Sequence, residues 1–236
     1  MRRHLTVMER LPDGYRAVVI GATGGIGSAV MRRLRDDPRC GEAIGLGRST
    51  DGIDVTDEAT LAEAAQRVGG EIHLLFIATG ALEIDGNGPE KAFKHVEPEA
   101  MAKQFALNAT GPALVIKHFK PLIARREPTA VAALSARVGS IGDNGFGGWM
   151  GYRASKAALN QLIRCAAIEL WRTHKKCVVA ALHPGTVRTE LTEGRRGDYD
   201  TLSPDESAER LLSVLDSLRP AATGTFRDWQ GEVVEW

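Results

Sequence analysis

The sequence predicts an α/β domain, a doubly wound, mainly parallel sheet with helices on both faces, and three observations carry that expectation. Short apolar segments alternate with helical stretches along most of the chain. The first of those segments runs directly into a glycine-rich loop and then a helix, from Ala17 through Gly27 to Leu34. The length, 236 residues, suits one such unit with a full core, so residues 1–236 are expected to form a single domain.

Taken in order, the expected strands are 16–20, 43–46, 72–77, 130–134 and 178–182, each short, apolar and mostly followed by glycine, serine or proline. All five read as buried on both faces. Residues 58–68 read as a helix closed by Gly69-Gly70. Residues 101–119 and 152–173 have the length and composition of long helices. Ser203-Pro204-Asp205-Glu206 opens the last helix, with Ser203 as N-cap, Pro204 in the first turn and Glu206 closing the capping box. The tail 224–236 holds Phe226, Trp229, Val233 and Trp236, and is expected to pack as an edge strand.

Composition narrows the function classes. Thirty basic and thirty acidic residues give zero net charge, so nothing draws the chain to nucleic acid or anionic lipid, and a small-molecule partner is expected. Cys40, Cys165 and Cys177 have no paired spacing, which argues against a disulfide framework and for a reducing cytoplasm. Glu9, Pro12 and Asp13 interrupt the N-terminal stretch before a signal-peptide core could form, and no segment reads as a membrane span. His4, His73, His95, His118, His174 and His183 are scattered, so no metal site is expected. Asn108-Ala109-Thr110 matches a glycosylation sequon, but Asn108 is better placed for another task.

The loop Gly21-Ala22-Thr23-Gly24-Gly25-Ile26-Gly27 has the order that phosphate binding needs. Gly21 allows the tight turn, Gly25 lets backbone amides approach a pyrophosphate, and Gly27 lets the helix pack close to the strand. The helix N-terminus adds partial positive charge and free N–H groups, with Thr23, Gly24 and Ile26 completing the cradle. Glycines 21, 25 and 27 fit one nucleotide-binding pattern and glycines 21, 24 and 27 a related one. Residues further down the chain must decide between them.

Tyr152 and Lys156 are four apart on a predicted helix and share a face. A tyrosine that serves as a base near neutrality must titrate near ~7 instead of ~10, which takes ~4 kcal/mol of favourable charge interaction. Lys156 is expected to supply part of it and an oxidised nicotinamide the rest, leaving Tyr152 as general acid/base.

Loop and pair together resemble the short-chain dehydrogenase/reductase family, across nearly the whole chain. The resemblance implies a Rossmann-type fold and an NAD(P)(H)-dependent oxidoreductase that moves hydride between nicotinamide and a carbonyl or alcohol. On it, Ile77-Ala78-Thr79-Gly80 is similar to the strand-end motif, usually Asn-Asn-Ala-Gly, so Ala78, Thr79 and Gly80 are expected at the cofactor. Asn108 is similar to the helix asparagine that holds a relay water beside the lysine, and Asp54-Val55 to the adenine-contacting pair. In His183-Pro184-Gly185-Thr186-Val187-Arg188-Thr189, Pro184, Gly185, the Val187 backbone and the Thr189 hydroxyl are expected around the nicotinamide amide. Residues 135–140, Gly147-Gly148-Trp149 and the tail resemble the branch of the bacterial C-factor and the sniffer-type carbonyl reductases. That branch supplies the alternative, a nucleotide-binding sensor or signalling protein with little turnover. The family's usual four-helix interface implies a homodimer or homotetramer through 101–119 and 152–173.

Two features refine the expectation. The second strand ends Gly45-Leu46-Gly47-Arg48 with no acid to grip a ribose diol, and Arg48 can pair with a 2′-phosphate, so NADP(H) is expected over NAD(H), with Asp51 as the competing diol acceptor. Relatives carry Ser-Ser ahead of the tyrosine with the second serine catalytic, whereas this chain has Ser135-Ala136. Ser135, at a rigid strand end, is favoured as the substitute over Ser140 in a glycine-flanked loop that must be ordered first. The loop 140–151, with Phe146, Trp149 and Met150, is expected to wall an apolar substrate pocket, opposite 80–94 and a mobile lid at 191–201.

Overall fold

The computed structural model describes residues 7–189 and 201–236. Six strands form one sheet: β1 (Tyr15–Ile20), β2 (Cys40–Leu46), β3 (Leu74–Ile77), β4 (Thr129–Leu134), β5 (Cys177–His183) and β6 (Thr225–Asp228). Their order is β2-β1-β3-β4-β5-β6, and every neighbouring pair is parallel. The helices are α1 (Gly25–Asp36), the single turn α2 (Arg48–Asp51), α3 (Glu58–Val68), α4 (Pro98–Phe105), α5 (Gly111–Phe119), α6 (Met150–Thr173) and α7 (Pro204–Ser217).

Strand residues alternate between two cores because successive side chains point to opposite faces. Val18, Ile20, Leu75, Ile77, Val131 and Val179 pack with Leu61, Val115, Phe119, Leu159 and Ile163, which come from α3, α5 and α6. Val19, Leu74, Phe76, Ala132 and Leu182 pack with Val30, Leu34, Leu211 and Leu215 of α1 and α7. From β1 the chain goes outward to β2, then returns across β1 to β3. That reversal opens a crevice beyond the C-terminal ends of β1 and β3.

Beyond one-residue shifts at the ends of β1, β4 and β5, four elements differ from the sequence reading. β2 lies at an edge, and of residues 43–46 only Leu46 is buried; an apolar run does not say which strand is outermost. The strand expected at 72–77 starts at Leu74, with Ile72 making a single bridge to Ile123. The helix expected over 101–119 is α4 and α5 joined by a wide π turn at Ala106–Thr110. The last long helix starts at Met150, two residues before Tyr152. At the tail, β6 is an edge strand, after which the chain turns back: Arg227 bridges Val233, and Trp236 stacks on Phe226 at 5.8 Å. Ser203 and Glu206 form a reciprocal capping box. The expected lid at 191–201 lies, apart from Thr201, outside the described residues.

Candidate active site

Two adjoining cavities, of about 520 and 450 Å³, fill the crevice and share Thr23, Gly24, Ala78, Thr79 and Gly80. Gly21 sits at φ +83° after β1, a conformation glycine adopts without strain. A Cβ on Gly27 would lie 2.1 Å from the Gly21 carbonyl oxygen, so α1 meets β1 only because that residue has no side chain. Gly24 caps α1 without any side-chain hydrogen bond, leaving the first amides of the helix directed at the crevice. Gly25 and Ile26 line it as well.

The buried Thr79 hydroxyl finds no hydrogen-bond partner among the described residues. With the glycine cradle, that orphaned hydroxyl makes the crevice fit for a dinucleotide, whose polar groups can satisfy it. Arg48, Asp54 and Val55 line the second cavity. Asp51 accepts from the Gly47 amide at 2.8 Å and from the Thr50 hydroxyl, which engages its carboxylate within its own turn and holds it below the usual range. The Thr56 hydroxyl and amide do the same for Asp54. Pro184 and Thr189 line the first cavity; Val187 is buried and bridges Leu202, and Gly185, at φ +80°, packs against Trp229.

The same cavity receives Tyr152 and Lys156 from the first turns of α6, Ser135 from the end of β4, and Gly80 from the loop after β3. Lys156 Nζ donates to the Leu134 carbonyl at 3.0 Å. A Cβ on Gly80 would stand 3.0 Å from Asn108 Oδ1 and 3.1 Å from Lys156 Nζ, so those two groups flank one point of backbone. Burial pushes the Tyr152 phenol up to about 12 and the Lys156 ammonium down to about 8. The expectation that Lys156 lowers the tyrosine is not met by the chain alone. Desolvation opposes both charged forms, and it dominates.

Asn108 is fully buried in the π turn, a feature that concentrates at functional sites. Its Oδ1 accepts from the Ala81 amide at 3.0 Å, while Nδ2 donates to the Ala81 carbonyl at 2.9 Å and to Gln104 Oε1 at 2.6 Å. The side chain thus ties down the loop after β3. Ser135 and Ser140 are both buried, but Ser135 lines the cavity and Ser140 does not. Ser135 donates to Asn160 Oδ1 at 2.6 Å; Ser140 accepts from the Asp143 amide at 3.0 Å and closes its own turn. Gln104, Asn160 and Glu90 escape a reading of the sequence. Only Gln104 carries a signal there, being four residues before Asn108 on one helix face. Among the described residues no cluster of histidine, cysteine, aspartate or glutamate could hold a metal ion, and no helix is long and apolar enough to cross a membrane.

Comparison with known proteins places this arrangement. A family model described as enoyl-(acyl carrier protein) reductase matches residues 40–215, well over half of the chain. The chain belongs to the short-chain dehydrogenase/reductase family. As a member of that family of oxidoreductases, it is 29% identical over 232 residues to 1-hydroxy-2-glutathionyl-2-methyl-3-butene dehydrogenase of Rhodococcus sp. (strain AD45), covering 93% of this chain and 98% of that one. C-signal of Myxococcus xanthus is 36% identical over 145 residues, 61% of this chain and 84% of its own. The NADPH-bound carbonyl reductase from chicken fatty liver superposes with a TM-score of 0.82 at 25% identity, with 97% of each chain covered.

Proposed function

We propose that this short-chain dehydrogenase/reductase interconverts a carbonyl and an alcohol with NADP(H), NAD(H) serving less well, and that Tyr152 exchanges the proton with the substrate oxygen. The observation that carries the reading is the convergence of Tyr152, Lys156 and Ser135 on the cavity that continues into the glycine cradle. The chicken carbonyl reductase, of the same shape, binds NADPH, which supports the cofactor. Residues 1–236 act as one nucleotide-binding domain.

The cradle Gly21–Gly27 and the amides of α1 hold the pyrophosphate. Asp54 and Val55 hold the adenine, Arg48 the 2′-phosphate, and Ala78, Thr79 and Gly80, with Pro184, Gly185, Val187 and Thr189, the nicotinamide end. When bound, the cofactor supplies or accepts the hydride and brings positive charge in its oxidised form. Tyr152, buried and protonated, gives its proton to the oxygen of a carbonyl and takes it back from an alcohol. Lys156, anchored at the Leu134 carbonyl, biases the tyrosinate and steadies the ribose. Asn108 borders the path by which the proton reaches solvent. Ser135 orients the substrate oxygen once its hydroxyl turns from Asn160. The half-exposed Ile168 and Trp171 on α6 support assembly into a homodimer or homotetramer through that helix, and the free cysteines suit the cytoplasm.

The test is NADPH oxidation over a panel of aldehydes, ketones and quinones, with Tyr152→Phe as the paired variant. Turnover by the wild type and its abolition in Tyr152→Phe, with cofactor affinity nearly unchanged, is the expected result; activity of the variant within about tenfold of wild type sinks the mechanism. The likeness to C-signal supports a signalling role as a second reading, but a sensor has no use for the Asn108, Tyr152 and Lys156 set.

A further inference from the structure

We propose that Glu90 is a positioning residue: a carboxylate carried by the loop after β3 that caps the catalytic helix and holds Tyr152 in place. The capping itself is independent of the proposed reaction; only the consequence for turnover rests on it.

Helix α6 starts with no cap of its own. Trp149, at the N-cap position, makes no side-chain hydrogen bond to the first turn, whose amides would otherwise lack partners. Glu90 takes that role from 61 residues away. Its Oε2 accepts from the Gly151 amide at 3.0 Å, and its backbone carbonyl accepts from the Trp149 amide at 2.6 Å. A carboxylate is also the right charge for a helix N-terminus. Tyr152 is the next residue, so the cap sits one position from the phenol's own backbone.

The fit around this contact is built rather than incidental. Gly147, Gly148 and Trp149 have φ of +64°, +66° and +54°. Glycine takes that left-handed backbone freely, but a tryptophan keeps it only where its surroundings impose it. The Glu90 carbonyl is one such constraint. The Arg153 guanidinium is another, donating to the Gly147, Gly148 and Val138 carbonyls at 3.2, 3.0 and 3.3 Å. The Trp149 ring then meets the Tyr152 ring edge-on, 6.4 Å between centres. The carboxylate packs closely over Gly151: a Cβ there would lie 2.7 Å from Glu90 Oε1, so a side chain at that position would push the glutamate off the amide.

The other end of the loop is tied as firmly. Asn108 holds Ala81 by both amide atoms, and Gln104 Nε2 donates to the Leu82 carbonyl at 2.9 Å. Residues 81–90 are therefore strung between Asn108 and the start of α6. A substrate that shifts this loop shifts the backbone next to Tyr152.

Amide hydrogen exchange on the full chain tests the cap without any substrate. In Glu90→Ala the Gly151 and Tyr152 amides should exchange about tenfold faster, while Leu159 and Ile163 in the middle of α6 keep wild-type rates. Glu90→Gln, whose amide oxygen still accepts, should stay within about threefold of wild type at the same amides. In NADPH-oxidation assays, Glu90→Ala should lower kcat about tenfold with cofactor Kd and carbonyl KM within about twofold, and Glu90→Gln should recover most of the rate. Unchanged exchange at Gly151, acceleration spread evenly along α6, or faster local exchange with an unchanged kcat would each overturn the proposal. A wild type that turns over no carbonyl defeats the oxidoreductase reading instead, and exchange at Gly151 and Tyr152 still decides whether Glu90 holds that backbone.

Discussion

The Lys156 ammonium lies 5.9 Å from the centre of the Tyr152 ring, and it donates to the Leu134 carbonyl rather than to the phenol. Both groups are buried, and burial disfavours the charge on each. A buried lysine whose pKa drops from 10.5 to about 8 binds fewer protons in the folded than in the unfolded state between those values. Stability from this group therefore rises with pH across that window and is lost as pH falls through about 8. Lys156→Met removes the effect. Wild type should gain stability relative to the variant by up to about 3 kcal/mol between pH ~8 and ~10.5 in denaturant titrations. A difference that does not change with pH would show that the ammonium is solvated.

Gly27→Ala tests the cradle. Its Cβ would overlap the Gly21 carbonyl oxygen at 2.1 Å, and neither atom is the end of a flexible chain that can swing away. The expected cost is about 1–3 kcal/mol of stability and at least about a tenfold loss of NADPH affinity by fluorescence titration. Gly145→Ala is the control, with nothing within 4 Å of the added carbon. Wild-type affinity in Gly27→Ala would remove the cradle from the cofactor site.

Legibility in the sequence depends on the distances involved. The glycine loop, Tyr152 with Lys156, and the Ser203 capping box are each written within seven residues, so local spacing determines which groups meet. Asn108 is visible through the family pattern, but its job of holding Ala81, 27 residues away, is not, because its position depends on a π turn inside an otherwise regular helical sequence. Glu90 is hidden for a similar reason. Its partner Gly151 is 61 residues away, and the sequence of the loop alone carries no cap signature. The edge position of β2 is illegible because the same apolar residues serve an inner or an outer strand. The upward shift of Tyr152 runs against the sequence expectation because charge pairing alone leaves out the desolvation that only a folded core imposes.

The proposed preference for NADP(H) rests on Arg48. Its side chain is exposed on α2 at the rim of the second cavity, whereas the nearby acid that competes for a ribose diol, Asp51, is engaged by the Gly47 amide and the Thr50 hydroxyl. A charge-assisted pair with a 2′-phosphate is worth about 1.5–3 kcal/mol. Arg48→Ala should thus weaken NADPH binding by about 10- to 100-fold and NADH binding by less than about threefold. Equal losses for the two cofactors, or equal efficiencies in the wild type, would refute the assignment.

The proposed reaction calls for a hydroxyl that orients the substrate oxygen, and Ala136 occupies the family's usual slot for it. The geometry favours a shift of one residue. Leu134 and Ser135 line the cavity with Tyr152, and Ala136 and Ser140 do not. The Ser135 hydroxyl is held by Asn160 Oδ1 at 2.6 Å, and Asn160 Nδ2 is itself directed at the Gly139 carbonyl at 3.3 Å, which fixes the amide so that its oxygen faces the serine. The hydroxyl is therefore oriented before substrate arrives, but its single proton must leave Asn160 to reach a carbonyl. Asn160 then becomes the acceptor left without a donor, which makes the exchange worthwhile only when charge builds on the substrate oxygen. Ser140 has no such access, since it does not line the cavity; its oxygen accepts the Asp143 amide and stabilises a turn. Ser135→Ala should lower kcat by roughly a hundredfold, and Ser140→Ala should leave kcat within about threefold while costing some stability. Asn160→Leu separates the two roles of the serine. By freeing the Ser135 proton it should spare or raise kcat, with its cost appearing as lost stability from an unpartnered Gly139 carbonyl. A crippled Ser140→Ala beside an active Ser135→Ala would transfer the donor to the loop, and a rate lost equally in Asn160→Leu and Ser135→Ala would mean that the serine only supports the strand end.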